Sequence, residues 1–387
     1  MQMTLDRDWP DIRAAVAKIC ADFPGSYWRE KDRESAYPAE FVAALTRGGW
    51  LAALIPETYG GAGLPLRAAA VILETIHACG ANAGACHAQM YIMGALLRHG
   101  TAAQKERWLP QIAAGDLTLQ AFGVTEPTTG SDTTQLKTRA VKDGDRYIVT
   151  GQKVWTSRAR QSDLMLLLAR TTPIEACAKR SEGLSLFLID LREARGNGLE
   201  IRPLEAMINH NSNEVFFDDL AIPADSLVGE EGAGFRYVLD GMNAERILLS
   251  GEALGDARWF LETACAYARE RVVFARPIGA NQGIQFPLAR AHAQSEAADL
   301  MARKAAALFD AGAPCGAEAN MAKLLTSEAA WAAGEACFQT HGGFAFAREY
   351  DVERKWRETR LFQTAPISTN MVLAYIAQHV MGLPRSY

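Results

Sequence analysis

The chain has 387 residues, with 40 Lys and Arg against 45 Asp and Glu, and is 49% hydrophobic and 22% charged. At roughly 150 residues per domain, that length predicts two or three domains with a sizeable core. The balance excludes a disordered chain, and the net charge of −5 argues against a basic nucleic-acid binder. The opening MQMTLDRDWPDI has no basic stretch followed by an apolar run, and no later stretch reaches about 18 uninterrupted apolar residues. A cytoplasmic protein without a membrane span is therefore expected. Seven scattered cysteines (Cys20, Cys79, Cys86, Cys177, Cys265, Cys315 and Cys337), with no C-x-x-C pair, predict free thiols rather than a disulfide framework or a metal site.

From Pro10 to about Ala114, apolar residues recur at helical spacing, as in Phe41–Leu45 and Met90–Leu97, with loops such as PETYGGAGLP between them. From about Leu117 to Gly229 the texture changes to short apolar runs bounded by turn residues. These are Ile148-Val149 after KDGD, LMLLLA before TTP, LSLFLI before DLR, and Val215-Phe216-Phe217 before DD. They predict a compact antiparallel domain, with TTPIEACAKRSEG as a polar loop between two strands. After Gly232 long helical patterns return, clearest over Phe286–Ala311 and Ala317–Thr340. The predicted fold is mainly α with a central β domain, divided at 1–116, 117–229 and 230–387.

G-x-S-x-G, Walker, H-E-x-x-H and strand-to-helix G-x-G-x-x-G motifs are all missing, which removes the main support for hydrolase, kinase and nicotinamide readings. Residues 122–132, FGVTEPTTGSD, run from a strand end into hydroxyl- and glycine-rich turns. Such a segment offers N–H groups and hydroxyls to an anion or a heterocycle edge, and the same residues also serve as plain turn caps. In GQKVWTS, residues 151–157, period-two alternation puts Trp155 and Ser157 on one side of a strand, either in the core or beside a flat ring.

VTEPTTGSD, then GQKVWTS, then RVVFARPIGANQ at 271–282 and QTHGG at 339–343, in that order over nearly the whole chain, resemble the acyl-CoA dehydrogenase family. The resemblance implies an N-terminal helical domain, a middle β-barrel-like domain and a C-terminal four-helix domain, assembled as a homotetramer. It implies FAD between the middle and C-terminal domains, touched by a neighbouring subunit. Carried over residue by residue, it places Phe122, Val124 and Thr125 against the flavin ring, Ser131 near the pyrophosphate, and Trp155 and Ser157 on the ring's other side. Arg271, Phe274, Gln282, Gln339 and Gly343 match positions that hold the dinucleotide end across a subunit interface, and Ser368 and Asn370 complete the cofactor set.

Two departures stand out. Ser157 replaces a threonine of many relatives and keeps the hydroxyl. In RLFQTAPISTN, residues 360–370, Pro366 stands where many relatives carry the catalytic glutamate. Glu245, in the segment YVLDGMNAERILLSG, matches the base position of the isovaleryl-CoA and long-chain acyl-CoA branches, with Asn243 and Arg246 near coenzyme A. His87, Gln89 and Met90 match acyl-pocket positions or are simply buried helix residues. The implied reaction converts an acyl-CoA to its trans-2-enoyl-CoA: Glu245 takes the α-proton, the β-hydrogen leaves as hydride to FAD, and an electron-transferring flavoprotein collects the electrons. The alternatives are a flavin oxidase or monooxygenase of the same fold, an acyl-carrier-protein thioester dehydrogenase, or a non-catalytic relative.

Overall fold

A computed structural model of the chain describes residues 9–385; the first eight residues, part of the opening segment read above, lie outside the described residues. The helix–strand–helix order along the chain is as expected. Two compact units share that order: one comprises Ser35–Leu64 and Gly84–Met242, the other the chain up to Glu34, Pro65–Ala83 and everything from Asn243 on.

In the second unit, helices α1 (Pro10–Ala21), α2 (Gly25–Arg33) and α4 (Leu66–Ala78) come from the N-terminal part. The rest is C-terminal: most of α8 (Gly234–Glu270), then α9 (Gln282–Asp310), α10 (Gly316–His341), α11 (Val352–Arg360) and α12 (Thr369–Tyr375). Helix α9 starts a turn earlier than its apolar pattern suggested and carries Pro287 inside. The core between the long helices is built largely of small residues, Ala253, Ala257, Ala264, Ala291, Ala330 and Ala333, around Phe260. Small side chains let helix axes approach closely, and Phe260 fills the remaining space.

A buried ionic cluster joins four segments of this unit. Asp256 of α8 accepts hydrogen bonds from His77 Nδ1 (2.7 Å) and Thr359 Oγ1 (2.5 Å) and pairs with Lys355. The Ala83 N–H donates to His77 Nε2 (3.1 Å), which fixes the ring tautomer. Lys355 and Arg354 also donate to the Ala81 and Gly80 carbonyls. Burial alone would push the Asp256 carboxyl up, but Lys355 and His77 outweigh it and hold it below the usual range.

In the first unit, helices α3 (Ala39–Arg47), α5 (Gly84–His99) and α6 (Ala102–Ala114) accompany eight strands. These are β1 (Leu119–Gly123), β2 (Arg139–Asp143), β3 (Arg146–Ser157), β4 (Leu164–Arg170), β5 (Leu184–Asp190), β6 (Leu199–Pro203), β7 (Ser212–Pro223) and β8 (Leu227–Val228); a single turn, α7 (Leu191–Ala194), follows β5. Helix α6 is set by a capping box: Thr101 Oγ1 accepts from the Gln104 N–H, and Gln104 Oε1 accepts from the Thr101 N–H. Gln104 Nε2 then donates to the Asp225 and Leu227 carbonyls, fastening the helix to the edge strand.

The strand order is β6-β7-β3-β2-β4-β5-β8, with β1 beside β4. The LMLLLA and LSLFLI runs are apolar throughout because both faces of β4 and β5 are covered. Leu164, Leu166, Leu186 and Leu188 pack under α5 and α6 with Ile92, Leu96 and Leu109, whereas Met165, Leu167, Phe187 and Ile189 face Tyr147, Val149 and Val215. The purely antiparallel expectation needs correction: β1 and β4 run parallel, and β2 meets β4 in the same sense. The β2–β3 hairpin lies between β1 and β4 in sequence and supplies the long connection that parallel neighbours require.

Candidate functional site

Residues expected to touch the flavin ring lie on β1, on the segment after it and at the end of β3. The segment after β1 is drawn onto β3: the Val154 N–H donates to the Thr125 carbonyl (2.9 Å), and Lys153 Nζ donates to the Val124 carbonyl (3.0 Å). Lys153 is fully buried and pairs with Glu126 (2.9 Å), which also accepts the backbone N–H groups of Lys137 (2.6 Å) and Thr138 (2.8 Å). Burial would raise the Glu126 carboxyl, but Lys153 and these N–H donors hold it down. Burial brings the Lys153 ammonium down to about 8, so it is still charged at neutral pH. Neither residue was singled out from the sequence, although each lies inside a motif that was.

The same anchor precedes an irregularity in β3. Lys153 pairs with Val215 and Thr156 with Asn213, so Val154 and Trp155 oppose Glu214 alone. This is a β-bulge, two residues against one, and it re-aims the extra side chain. Trp155 adopts φ 59° and is 56% exposed, and the regular alternation expected to pair it with Ser157 is broken there. Ser157 is half-buried opposite Ser212, and the buried Thr156 Oγ1 has no hydrogen-bond partner.

Phe122 is half-buried on β1, with its ring 6.3 Å from Tyr91 of α5, which in turn lies 5.2 Å from His87. His87, Gln89 and Met90 are all buried. Ser131 is exposed on the turn beyond Glu126. An exposed indole held in place by a bulge and a turn of accessible hydroxyls fit a flat, polar-edged ring carrying an anionic tail.

The remaining expected residues lie in the helical unit and form two groups. Arg271 follows the end of α8, and its guanidinium sits 5.7 Å from the Phe344 ring, just beyond Gly343. A short hairpin, β9 (Val272–Val273) and β10 (Arg276–Pro277), has Phe274 and Ala275 at its tip, both at positive φ (52° and 61°), and Phe274 is 96% exposed. Gln282 opens α9 and Gln339 lies in the last turn of α10; both are exposed. Gly342 takes φ 59° and ψ −131°, and a Cβ added to Gly343 would meet no atom within 4 Å, so this backbone is open to close approach. A cation beside open glycine backbone suits a pyrophosphate.

The second group comprises residues of α8, α10 and the segment leading to α12. Glu245 is half-buried on α8. Its neighbour Arg246 is buried, donates from Nη1 to Asn243 Oδ1 (3.0 Å) and leaves Nε without a partner. Pro366 lies half-buried in the segment leading to α12, where Ser368 Oγ caps the helix by accepting the Met371 N–H (3.4 Å) and Asn370 is exposed. Lys323 of α10, also not singled out beforehand, is fully buried and donates to the Ile367 carbonyl (2.7 Å).

Among the described residues, no helix is long and apolar enough to cross a membrane, and no cluster of His, Cys, Asp and Glu could hold a metal ion.

Comparison with known proteins identifies the family. Family models described as the N-terminal, middle and C-terminal domains of acyl-CoA dehydrogenase match residues 8–116, 121–220 and 232–381. The chain is 37% identical over 379 residues to acyl-CoA dehydrogenase FadE12 of Mycobacterium tuberculosis, covering 97% of this chain and 96% of that protein. Among solved structures, a glutaryl-coenzyme A dehydrogenase in complex with glutaryl-CoA superimposes with a TM-score of 0.91 at 28% identity, over 100% of this chain and 98% of the other. The prolyl acyl carrier protein oxidase AnaB gives a TM-score of 0.90 at 26% identity, over 98% of this chain and 100% of the other.

Proposed function

Because the chain belongs to the acyl-CoA dehydrogenase family, a family of FAD-dependent oxidoreductases, we propose that it converts an acyl-CoA thioester to the trans-2-enoyl-CoA and passes the electrons to an electron-transferring flavoprotein. The observation that carries this reading is Trp155, a large aromatic residue exposed on a strained bulge that a buried ion pair precedes. Bound FAD supplies the hydride acceptor for the β-hydrogen.

We assign the protein's part in the chemistry as follows. Glu245 takes the α-proton, and with Pro366 unable to accept one, no carboxylate competes for that role in the 360–370 segment. Asn243 and Arg246 face the coenzyme A portion. Phe122, Val124, Thr125, Trp155 and Ser157 bound the ring, and Ser131, Arg271, Phe274, Gln282, Gln339, Gly343, Ser368 and Asn370 bind the rest of the cofactor. The exposed aromatic residues Phe274, Phe286 and Phe346 support a homotetramer in which such surfaces are covered.

The test is an anaerobic panel of acyl-CoA thioesters added to the purified yellow protein. Bleaching near 450 nm by at least one chain length supports the dehydrogenase reading, and a flavin that no thioester reduces overturns it. The likeness to an acyl carrier protein oxidase keeps a second reading in view. Rapid reoxidation of the reduced protein by oxygen, or reduction only by carrier-protein thioesters, would favour it.

A further inference from the structure

The helical unit buries two mutually repelling cations, Lys323 and Arg246, of which Arg246 is offset by the half-buried Glu245. Lys323 has no solvent exposure, and among the described residues no carboxylate pairs with it. Its ammonium donates to the Ile367 carbonyl at 2.7 Å, a neutral acceptor. Its nearest charges are the guanidinium of Arg246, which opposes it, and Glu328 of its own helix. Arg246 is itself buried, bonded to the neutral Asn243 and lacking a partner at Nε. Two desolvated like charges are an expensive arrangement for a core, and arrangements of that kind concentrate at functional sites.

The connections of this pair point to its use. Ile367 directly follows Pro366 and precedes Ser368, the cap of α12. At the end of α12, the Tyr375 hydroxyl lies against Gly316 in the first turn of α10, and Tyr375 acts electrostatically on Arg246. Arg246 adjoins Glu245. One ammonium thus ties α10 to the Pro366 turn, while its charge reaches the arginine next to the proposed base.

We propose that Lys323 is a positioning residue: as a cation it holds the Pro366–Ser368 turn through the Ile367 carbonyl, and loss of its proton weakens that bond, loosens the turn and slows dehydrogenation at alkaline pH. This rests on the function proposed above. Burial, reinforced by Arg246, brings the Lys323 ammonium down to about 8. Of the other groups around it, Arg246 does not titrate in this range, Glu318 is paired with Lys304 (3.0 Å), and burial with Glu318 nearby pushes the Cys315 thiol up. Glu328 on the lysine's own helix, Glu245 beside Arg246, and Tyr375 are the remaining ionisable neighbours. A hydrogen bond from a charged donor is about twice as strong as a neutral one. Loosening of the turn should therefore lower the rate by about tenfold, equivalent to about 1.4 kcal/mol.

The experiment follows flavin bleaching by a competent acyl-CoA from pH 6 to 9.5 in the FAD-loaded enzyme, together with deuterium exchange of the peptide spanning 361–371, corrected for base-catalysed intrinsic exchange. The wild type should slow by about tenfold around pH 8 and lose protection in that peptide over the same range. Lys323→Arg, whose guanidinium stays charged, should show neither change, and Lys323→Met should be slow and unprotected already at pH 7. An identical alkaline limb in wild type and Lys323→Arg overturns the proposal. If the arginine variant fails to retain FAD, the exchange data on the wild type decide, since unchanged protection of 361–371 across pH 8 also overturns it. A wild type that no acyl-CoA bleaches refutes the dehydrogenase reading instead, and leaves the exchange measurement to judge Lys323.

Discussion

Replacing Lys153 by Met keeps most of the side chain's volume and removes its charge from a site with no solvent exposure. Two contacts disappear: the ion pair to Glu126 at 2.9 Å and the hydrogen bond to the Val124 carbonyl at 3.0 Å. Removing one partner of a buried pair costs about 3–5 kcal/mol. Glu126 keeps the Lys137 and Thr138 N–H groups, so the lower end, about 3 kcal/mol, is expected. If that loss fell entirely on the Val124–Glu126 segment in the FAD-bound state, the FAD dissociation constant would rise by about a hundredfold. Urea unfolding of the FAD-free protein and titration with FAD followed at 450 nm separate the two effects. Glu126→Leu should cost more than Lys153→Met, because it strands two backbone N–H groups and leaves a buried ammonium with only the Val124 carbonyl, whereas the lysine variant strands that neutral carbonyl and part of a carboxylate that keeps two donors. A Lys153→Met cost below about 1 kcal/mol, or the reverse order of the two variants, would refute the anchoring argument.

Glu245→Gln should retain FAD and bind substrate while anaerobic bleaching slows by about a hundredfold to ten-thousandfold, whereas Pro366→Ala, which removes no proton acceptor, should cost no more than the roughly tenfold expected when its turn is loosened; stopped-flow absorbance measures both. Arg271→Ala should weaken FAD retention and assembly together, by linkage, and sedimentation showing a flavin-loaded monomer would remove Arg271 from an interface role. Asp256→Asn should destabilise the fold by about 3–5 kcal/mol at pH 7, since it weakens the partner of both His77 and Lys355. Because the folded-state carboxyl titrates below its unfolded value, its contribution is complete above about pH 5 and is lost as pH falls through the folded value. Urea curves of wild type and variant should therefore converge at acid pH, and a gap that stays constant down to pH 2 contradicts the assignment.

Much of the architecture was legible because burial leaves a periodic trace. The helical spacing around Phe41–Leu45 and Met90–Leu97 marks α3 and α5, and the unbroken LMLLLA and LSLFLI runs mark strands covered on both faces. The parallel pairing of β1 with β4 left no such trace, because it joins residues more than forty positions apart, Leu119 with Leu164 and Phe122 with Leu166, and strand composition does not encode direction. Charged residues misled in a different way. In sequence, Lys153, Lys323, Lys355 and Asp256 resemble solvated positions, yet each is fully buried, and only the partners supplied by distant segments make that tolerable. Motif order could point to Arg271, which lies inside a matched motif, but not to the residues that hold the motifs in shape.

Two exposed aromatic residues at positive φ, Trp155 and Phe274, show where local rules fail. A two-residue hairpin with both central residues left-handed normally calls for Asn-Gly or Gly-Gly, and this chain places Phe274 and Ala275 there. Trp155 likewise takes φ 59° on a bulge that glycine would occupy without strain. Left-handed backbone costs roughly 1–2 kcal/mol for a residue with a Cβ, and neither side chain recovers that cost by burial, since Trp155 is 56% and Phe274 is 96% exposed. Stability alone would favour glycine at both positions. We propose that these side chains are kept for contacts outside the chain's own core: for Trp155 a flat ring, and for Phe274 a cofactor or a neighbouring subunit. Both positions are ones the family resemblance assigns to FAD, and a strained backbone under an exposed aromatic side chain is an observation separate from the motifs.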